Sequence, residues 1–250
     1  MYIKLLDANN ITPETTLRVN TLKTSMDELK RLFELKKIEY KDGKLPNSLI
    51  VKRMNEFDSP LYVVQDEAAQ LACIMLDPKE GENVLDACSA PGGKTTYLAQ
   101  LMNNNGNIDA WDIHKHRVKL VEEVAKRLDI KIIQAKEYDA TLYDTYCFEK
   151  YDKVLLDVPC SGIGVIRKKP EIKWTRQEMD IPELVSIQER ILDNCSRYLK
   201  AGGTLVYSTC TVLKEENEEQ IQKFLENHSD FKLLEEKKLY PNKDGTDGFY

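Results

Sequence analysis

Short β-prone runs at 83–86, 108–112, 131–134, 153–157 and 204–208 alternate with longer stretches, at 94–102, 115–128 and 182–199. In those longer stretches apolar positions recur every three or four residues, the helical period. Strands alternating with helices predict an α/β fold with a doubly wound, mostly parallel sheet, whose ligands bind beyond the carboxyl ends of the strands. A helix over 65–76, stopped at Asp77-Pro78, precedes it. The first sixty residues read differently: a strand at 16–20, then a helix capped by Ser25 or Asp27 with Leu29, Leu32, Phe33 and Leu35 on one face. An Asp42-Gly43 turn and a strand at 48–51 follow. The expected division is a small α+β module over 1–60, a linker at 55–60, and a larger unit over 61–250.

Composition narrows the class. With 42% apolar and 31% charged residues in 250, the chain can bury a real core, so fibrous or disordered structure is excluded. The longest apolar run, 71–76, is far short of the roughly 18 residues of a membrane span. No secretory signal is read at the N-terminus, and six Cys without CxxC spacing fit a reducing cytoplasm. No membrane partner, no metal and a monomeric chain are expected; no Cys or His cluster has zinc spacing. The net charge of −6 is uneven: residues 1–60 carry 11 basic and 9 acidic residues, and residues 213–250 carry 6 and 10.

The chemistry lies where the strands end. The first strand of the large unit opens into Asp86-Ala87-Cys88-Ser89-Ala90-Pro91-Gly92-Gly93-Lys94, a small-residue loop that lets backbone N–H groups approach a polar ligand. A phosphate-binding GxxxxGK[ST] loop would need Gly where Cys88 stands, although Gly93-Lys94-Thr95 and Asp157 imitate the rest of an NTPase site. That alternative stays open on sequence. Asp112, at the next strand end, is placed to accept hydrogen bonds from ribose hydroxyls, or equally to cap the following helix. Asp139 has the same ambiguity and suits an adenine amino group. Two further strand ends carry Asp157-Val158-Pro159-Cys160 and Ser208-Thr209-Cys210, which bring two thiols to one edge of the sheet. Cys73, Cys147 and Cys195 are read as packing residues. Between 167 and 176, Arg167, Lys168, Lys169, Lys173 and Arg176 surround Trp174 with only Glu171 opposing, a pattern for stacking and neutralising a nucleic-acid strand.

These residues also resemble a family. Gln65-Asp66-Glu67-Ala68-Ala69, the loop from Asp86 to Thr95, Leu156 to Gly162, Arg167 to Trp174, and Tyr207 to Cys210 with Glu215-Glu216-Asn217 are similar to the ordered motifs of the Nop/Sun RNA cytosine-5 methyltransferases. The tract Gly164-Val165-Ile166-Arg167 with Asp180-Ile181-Pro182-Glu183-Leu184 resembles most the Sun or Fmu type, which acts on bacterial small-subunit ribosomal RNA.

The resemblance implies an S-adenosylmethionine-dependent enzyme with a Rossmann-like class I methyltransferase sheet of seven strands, and RNA, 16S ribosomal RNA, as its partner. Carried over, Cys88, Ser89, Ala90, Pro91, Gly92, Gly93 and Lys94 hold the methionine end of the cofactor, Asp112 the ribose and Asp139 the adenine. Asp157 lies between cofactor and base and positions the base edge. Ser89 and Val158 stand where small residues such as Ala are usual. DNA cytosine-5 methyltransferases place their nucleophile in a Pro-Cys pair, which would select Cys160; the Nop/Sun pattern assigns attack to Cys210 and product release to Cys160. Relatives of this type commonly carry an upstream helical domain and continue past the Asp247-Gly248-Phe249-Tyr250 motif, so a fragment truncated at its last strand is expected. The small module over 1–60 is read as RNA-binding, and a non-catalytic RNA-binding fragment of the same fold is the remaining alternative.

Overall fold

The structure is a computed structural model that describes residues 2–52 and 58–250, so half of the expected linker, 55–57, lies outside the described residues. A short helix α1 (Tyr2–Ala8) leads into the small module: β1 (Thr15–Val19), α2 (Met26–Leu35), β2 (Tyr40–Asp42), β3 (Ser48–Val51) and β4 (Tyr62–Val64). Its sheet is antiparallel in the order β2-β3-β1-β4. Ser25 caps α2 in a capping box with Glu28, the reciprocal pairing that satisfies two orphan amides. Leu29 and Phe33 enter the module's core with Leu17, Val19 and Leu49. Leu35, expected on the same face, is 83% exposed, because six residues beyond Leu29 the helix has turned it away. The fourth strand comes from beyond residue 60 and pairs with β1, so the small module extends past the boundary read from the sequence.

The larger unit follows as α3 (Glu67–Leu76), β5 (Asn83–Asp86), α4 (Gly93–Leu101), β6 (Asn107–Asp112), α5 (Lys115–Arg127), β7 (Ile133–Glu137), β8 (Tyr151–Asp157), α6 (Ile172–Thr175), α7 (Ile181–Ser196), β9 (Leu199–Ser208), α8 (Glu218–Asn227) and α9 (Pro241–Asp244). The sheet is parallel throughout, in the order β7-β6-β5-β8-β9. Period-two alternation divides its side chains: Val84 and Leu155 pack with Leu98, Met102 and Ile108 on one face, and Leu85, Val154 and Leu156 pack with Ile191, Leu192 and Tyr198 on the other. The strand read at 131–134 begins instead at Ile133. Asp129 takes a left-handed turn after α5 (φ 57°) and Ile130 bonds back to Ala125, which uses up the residues before it.

Five strands, not seven, make the large sheet among the described residues. Beyond β9 the chain forms α8, α9 and one antiparallel bridge between Leu239 and Phe249. That last segment returns to the sheet's active edge, where Tyr250 and Thr209 exchange backbone hydrogen bonds at 3.1 Å.

Candidate active site

Every strand-end residue singled out above falls at the carboxyl edge of the parallel sheet. The loop from Cys88 to Lys94 leaves β5 and turns into α4. Ser89 anchors it to β6 through two bonds to the Trp111 carbonyl, from N–H (2.7 Å) and Oγ (2.9 Å). Gly92 caps α4 in the left-handed region (φ 103°), and a Cβ there would lie 3.1 Å from the backbone of Val121, so α4 and α5 approach only over glycine. The first turn of α4 then presents amides with no partner inside the helix. Beneath the loop, Asp86 is fully buried; its Oδ2 accepts from Thr95 Oγ1 (2.7 Å) and its Oδ1 has no partner. Burial pushes its carboxyl up to about 7.

Asp112 is almost wholly buried. It accepts from the His114 N–H (3.0 Å) and pairs with Arg117 (3.1 Å), which also donates to the Ala90 carbonyl (2.9 Å). The N-cap of α5 is His114, without a side-chain cap, so Asp112 does not cap that helix; through Arg117 it ties α5 to the loop. Asp139 holds Thr141 by its N–H (2.9 Å) and hydroxyl (2.7 Å). Asp157 pairs with Lys94 at 2.7 Å. Burial works against the Lys94 charge, but Asp157 more than offsets it, and the ammonium is held above its ordinary range. The phosphate-loop alternative loses both of its working side chains: Lys94 is committed to Asp157, and the fully buried Thr95 hydroxyl is committed to Asp86.

The two thiols meet. Cys160 Sγ and Cys210 Sγ are 3.1 Å apart, both half-buried, and the Cys210 N–H donates to Cys160 Sγ at 3.3 Å. The Cys160 S–H pulls the Cys210 thiol below its ordinary range; burial and Asp157 oppose this, while the cations Lys94 and Lys169 assist. Cys160 is pushed up, first by holding its proton toward Cys210 and then by burial.

A polar bracket that sequence reading missed fixes this pairing. Fully buried Glu216 accepts from Ser161 N–H (2.8 Å), Ser161 Oγ (2.5 Å) and Gln188 Nε2 (2.9 Å). Gln188 also donates to the Pro159 carbonyl (2.9 Å), and Ser161 Oγ reaches Thr211 Oγ1 (2.9 Å). The turn bearing Cys160 and the turn bearing Cys210 are thus tied to one carboxylate. Gly164 adds a backbone tie: its N–H donates to the Cys210 carbonyl (3.0 Å), and a Cβ there would sit 2.0 Å from the Gly248 carbonyl. Glu216 lies in the acidic run 215–219, where only its place in the family motif distinguished it from solvated neighbours.

The basic segment divides. Arg167 and Lys168 do not face solvent as free cations: Arg167 pairs with Asp247 (2.9 Å), and Lys168 with Asp66 (2.6 Å) and Asp247 (2.7 Å). Their charges are neutralised in a network joining the start of α3 to the C-terminal segment. Lys169, Lys173 and Trp174 are exposed, Trp174 by 85%, and Arg176 reaches back to the Ser161 carbonyl (3.3 Å) and to Asp180 (3.6 Å). Lys173 donates to Asn10 (2.8 Å). Among the described residues no group of three or more His, Cys, Asp or Glu could hold a metal, and no helix is long and apolar enough to cross a membrane.

Comparison with known proteins supplies the lineage. The family model for 16S rRNA methyltransferase RsmB/F matches residues 73–250, and the ferredoxin-like domain of RsmF/B-like methyltransferases matches residues 1–58. The chain is 40% identical over 271 residues to "Probable ribosomal RNA small subunit methyltransferase B" of Bacillus subtilis, covering 99% of this chain and 61% of that protein. It is 38% identical over 262 residues to ribosomal RNA small subunit methyltransferase B of Erwinia tasmaniensis, with the same coverage. The crystal structure of a methyltransferase homolog protein from Pyrococcus horikoshii superposes with a TM-score of 0.84 at 32% identity, covering 99% of this chain and 88% of that one. The chain thus spans about three fifths of the length of its curated relatives, and it belongs to the RsmB/F family of 16S rRNA methyltransferases.

Proposed function

We propose that this chain transfers a methyl group from S-adenosylmethionine to carbon 5 of a cytidine in small-subunit ribosomal RNA, through a covalent adduct between Cys210 and carbon 6 of the base. The observation that carries the reading is the 3.1 Å pair of thiols beside the Lys94–Asp157 ion pair, at the edge where the glycine loop opens. The loop suits the cofactor: its glycine turn admits a close ligand, α4 offers unpaired amides, and Asp86 keeps one buried oxygen without a partner. Cys88 to Lys94 would hold the methionine end, Asp112 the ribose and Asp139 the adenine. When bound, the cofactor supplies an electrophilic methyl group on a sulfonium centre.

The chain's own residues prepare the base. Carbon 5 of cytosine is a poor nucleophile, and a thiolate adding to carbon 6 makes it enamine-like. Cys210 stands in the Thr-Cys position to which the family pattern assigns attack, and the cations Lys94 and Lys169 favour its thiolate. Asp157, held by Lys94, positions the base edge at nitrogen 3 and its amino group. After methylation the carbon 5 proton passes to a base, the carbon 6–sulfur bond breaks, and the double bond returns. The Cys160 S–H stabilises the departing Cys210 thiolate through the contact they already make. The cytidine must leave its stack to reach these groups, and exposed Trp174, Lys169 and Lys173, with Arg176 at the Ser161 carbonyl, form the surface on which the strand lies.

Incubation with cofactor and a 16S ribosomal RNA fragment tests the assignment by denaturing gel. Cys160→Ala accumulates a covalent protein–RNA adduct and Cys210→Ala forms none; the opposite pattern refutes the roles given to the two thiols.

A further inference from the structure

Arg18 sits on β1 of the small module and is fully buried, yet no carboxylate balances it among the described residues. Its flanking residues Leu17 and Val19 belong to the module's core, while its guanidinium crosses into the larger unit. There Nη1 donates to the Gly93 carbonyl (2.7 Å) and to Gln65 Oε1, Nη2 donates to Thr96 Oγ1 (3.1 Å), and the group lies 4.6 Å over the Tyr97 ring. Thr96 Oγ1 in turn donates to the Gly92 carbonyl (2.7 Å). The Arg18 contacts therefore converge on the first turns of α4, the helix that begins at the glycine loop.

Such a cation is not placed for stability. A buried charge without a counter-ion is costly, and the positive end of a helix dipole adds to the cost. Arg18 Nε and Gln65 Nε2 are also buried without acceptors. Apolar side chains would join the two units at lower cost. What they would lack is a rigid planar fork that holds the Gly93 carbonyl and the Thr96 hydroxyl at once.

We propose that Arg18 is a positioning residue for the cofactor loop: it fixes the Gly93 carbonyl directly and the Gly92 carbonyl through Thr96, so that the small module sets the affinity for S-adenosylmethionine. The proposal rests on the cofactor assignment made above, and it makes the small module part of the cofactor site as well as a candidate RNA-binding surface.

The test uses the whole 250-residue chain, with Arg18→Lys against Leu29→Ala, a buried core change in the same module that touches neither loop nor α4. Calorimetry with S-adenosylhomocysteine measures affinity, hydrogen exchange over 92–97 without ligand measures the loop, and a thermal midpoint tracks the fold. Losing one charge-assisted hydrogen bond to the loop should weaken binding on the order of tenfold in Arg18→Lys and speed exchange at 92–97. Leu29→Ala should lower the midpoint and leave affinity within about twofold. Thr96→Val, which removes the relay and the Nη2 acceptor but leaves the Arg18 bond to the Gly93 carbonyl, should shift affinity the same way by less, and it carries the test if Arg18→Lys does not fold. Equal affinity in wild type and Arg18→Lys, or equal weakening in Leu29→Ala, overturns the proposal. If the wild type binds no S-adenosylhomocysteine, the functional reading fails on its own; exchange over 92–97 then decides the role of Arg18, and unchanged exchange in Arg18→Lys overturns it.

Discussion

Glu216 is the side chain whose removal should most disturb the paired thiols without touching either of them. Its carboxylate is fully buried and accepts three hydrogen bonds, two of them from Ser161, the residue after Cys160. In Glu216→Gln the amide oxygen can keep the Ser161 N–H and Gln188 bonds, which share Oε2. The amide nitrogen then faces Ser161 Oγ, and that hydroxyl can accept from it while donating to Thr211 Oγ1. The cost is the loss of charge assistance, about 1 kcal/mol. Glu216→Ala strands the Ser161 N–H and one Gln188 N–H in a dry interior, each at about 1–3 kcal/mol, and leaves a cavity. The expected ratio is therefore several to one, with Glu216→Ala losing about 3–6 kcal/mol in urea melts.

A second readout ties this bracket to the thiols. The Cys160 turn hangs from Glu216 through Ser161 and, by way of Gln188, through the Pro159 carbonyl. Glu216→Ala should release it, and mild disulfide-forming oxidants, which trap the 3.1 Å pair in the wild type, should then trap it more slowly. If Glu216→Ala melts with Glu216→Gln, within about 0.5 kcal/mol, the bracket is not what holds the turn.

The Asp86 carboxyl, raised by burial to about 7, gives a signed pH dependence. Between its ordinary value and about 7 the folded state binds the proton that the unfolded state releases, so Asp86 contributes stability at low pH that is lost as pH rises through that window. Urea midpoints of the wild type relative to Asp86→Asn, which keeps an acceptor for Thr95, should fall from pH 4 to 7 and level off above; a flat difference sinks the assignment. On the surface proposed to meet RNA, Trp174→Ala should weaken RNA binding by about 1–3 kcal/mol while calorimetric affinity for S-adenosylhomocysteine stays unchanged. Lys169→Ala should reduce the salt slope of RNA binding by about 0.7, whereas Arg167→Ala should leave that slope alone and lower the urea midpoint. Equal slopes in these two variants would contradict the partition of charges seen here.

The parallel sheet was legible because β5, β8 and β9 hold short apolar runs that end in turn signals, and the edge chemistry was legible because Cys160 and Cys210 follow such runs closely. Residues acting across the fold were not. Arg18 reads as the polar member of an alternating strand, and nothing local says that its outer face meets α4 and not water. Glu216 reads as one acid among four in 215–219. Arg167 and Lys168 misled in the opposite sense. Their partners Asp66 and Asp247 lie about 100 and 80 residues away in sequence, so a local count of charge scored them as free. Helix and strand periods report burial against a near surface, whereas ion pairs depend on which distant loop arrives.

That distinction settles how a chain of net charge −6 can be proposed to hold RNA. The five basic residues of 167–176 do not act as one patch. Two of them fasten Asp66, at the start of α3, to Asp247, in the segment that returns to Thr209 and Cys210, and so they serve the geometry of the edge. Arg176 is shared between Asp180 and the carbonyl beside Cys160. The field left for a strand comes from Lys169 and Lys173 on either side of the turn leading to Trp174, and Lys169 acts on Cys210 as well. One cation thereby favours both the phosphate backbone and the thiolate. On the proposed assignment, strand binding and thiolate formation are then coupled: neutralising Lys169 with bound phosphate removes part of its pull on Cys210 and leaves the thiolate to Lys94 and the Cys160 contact.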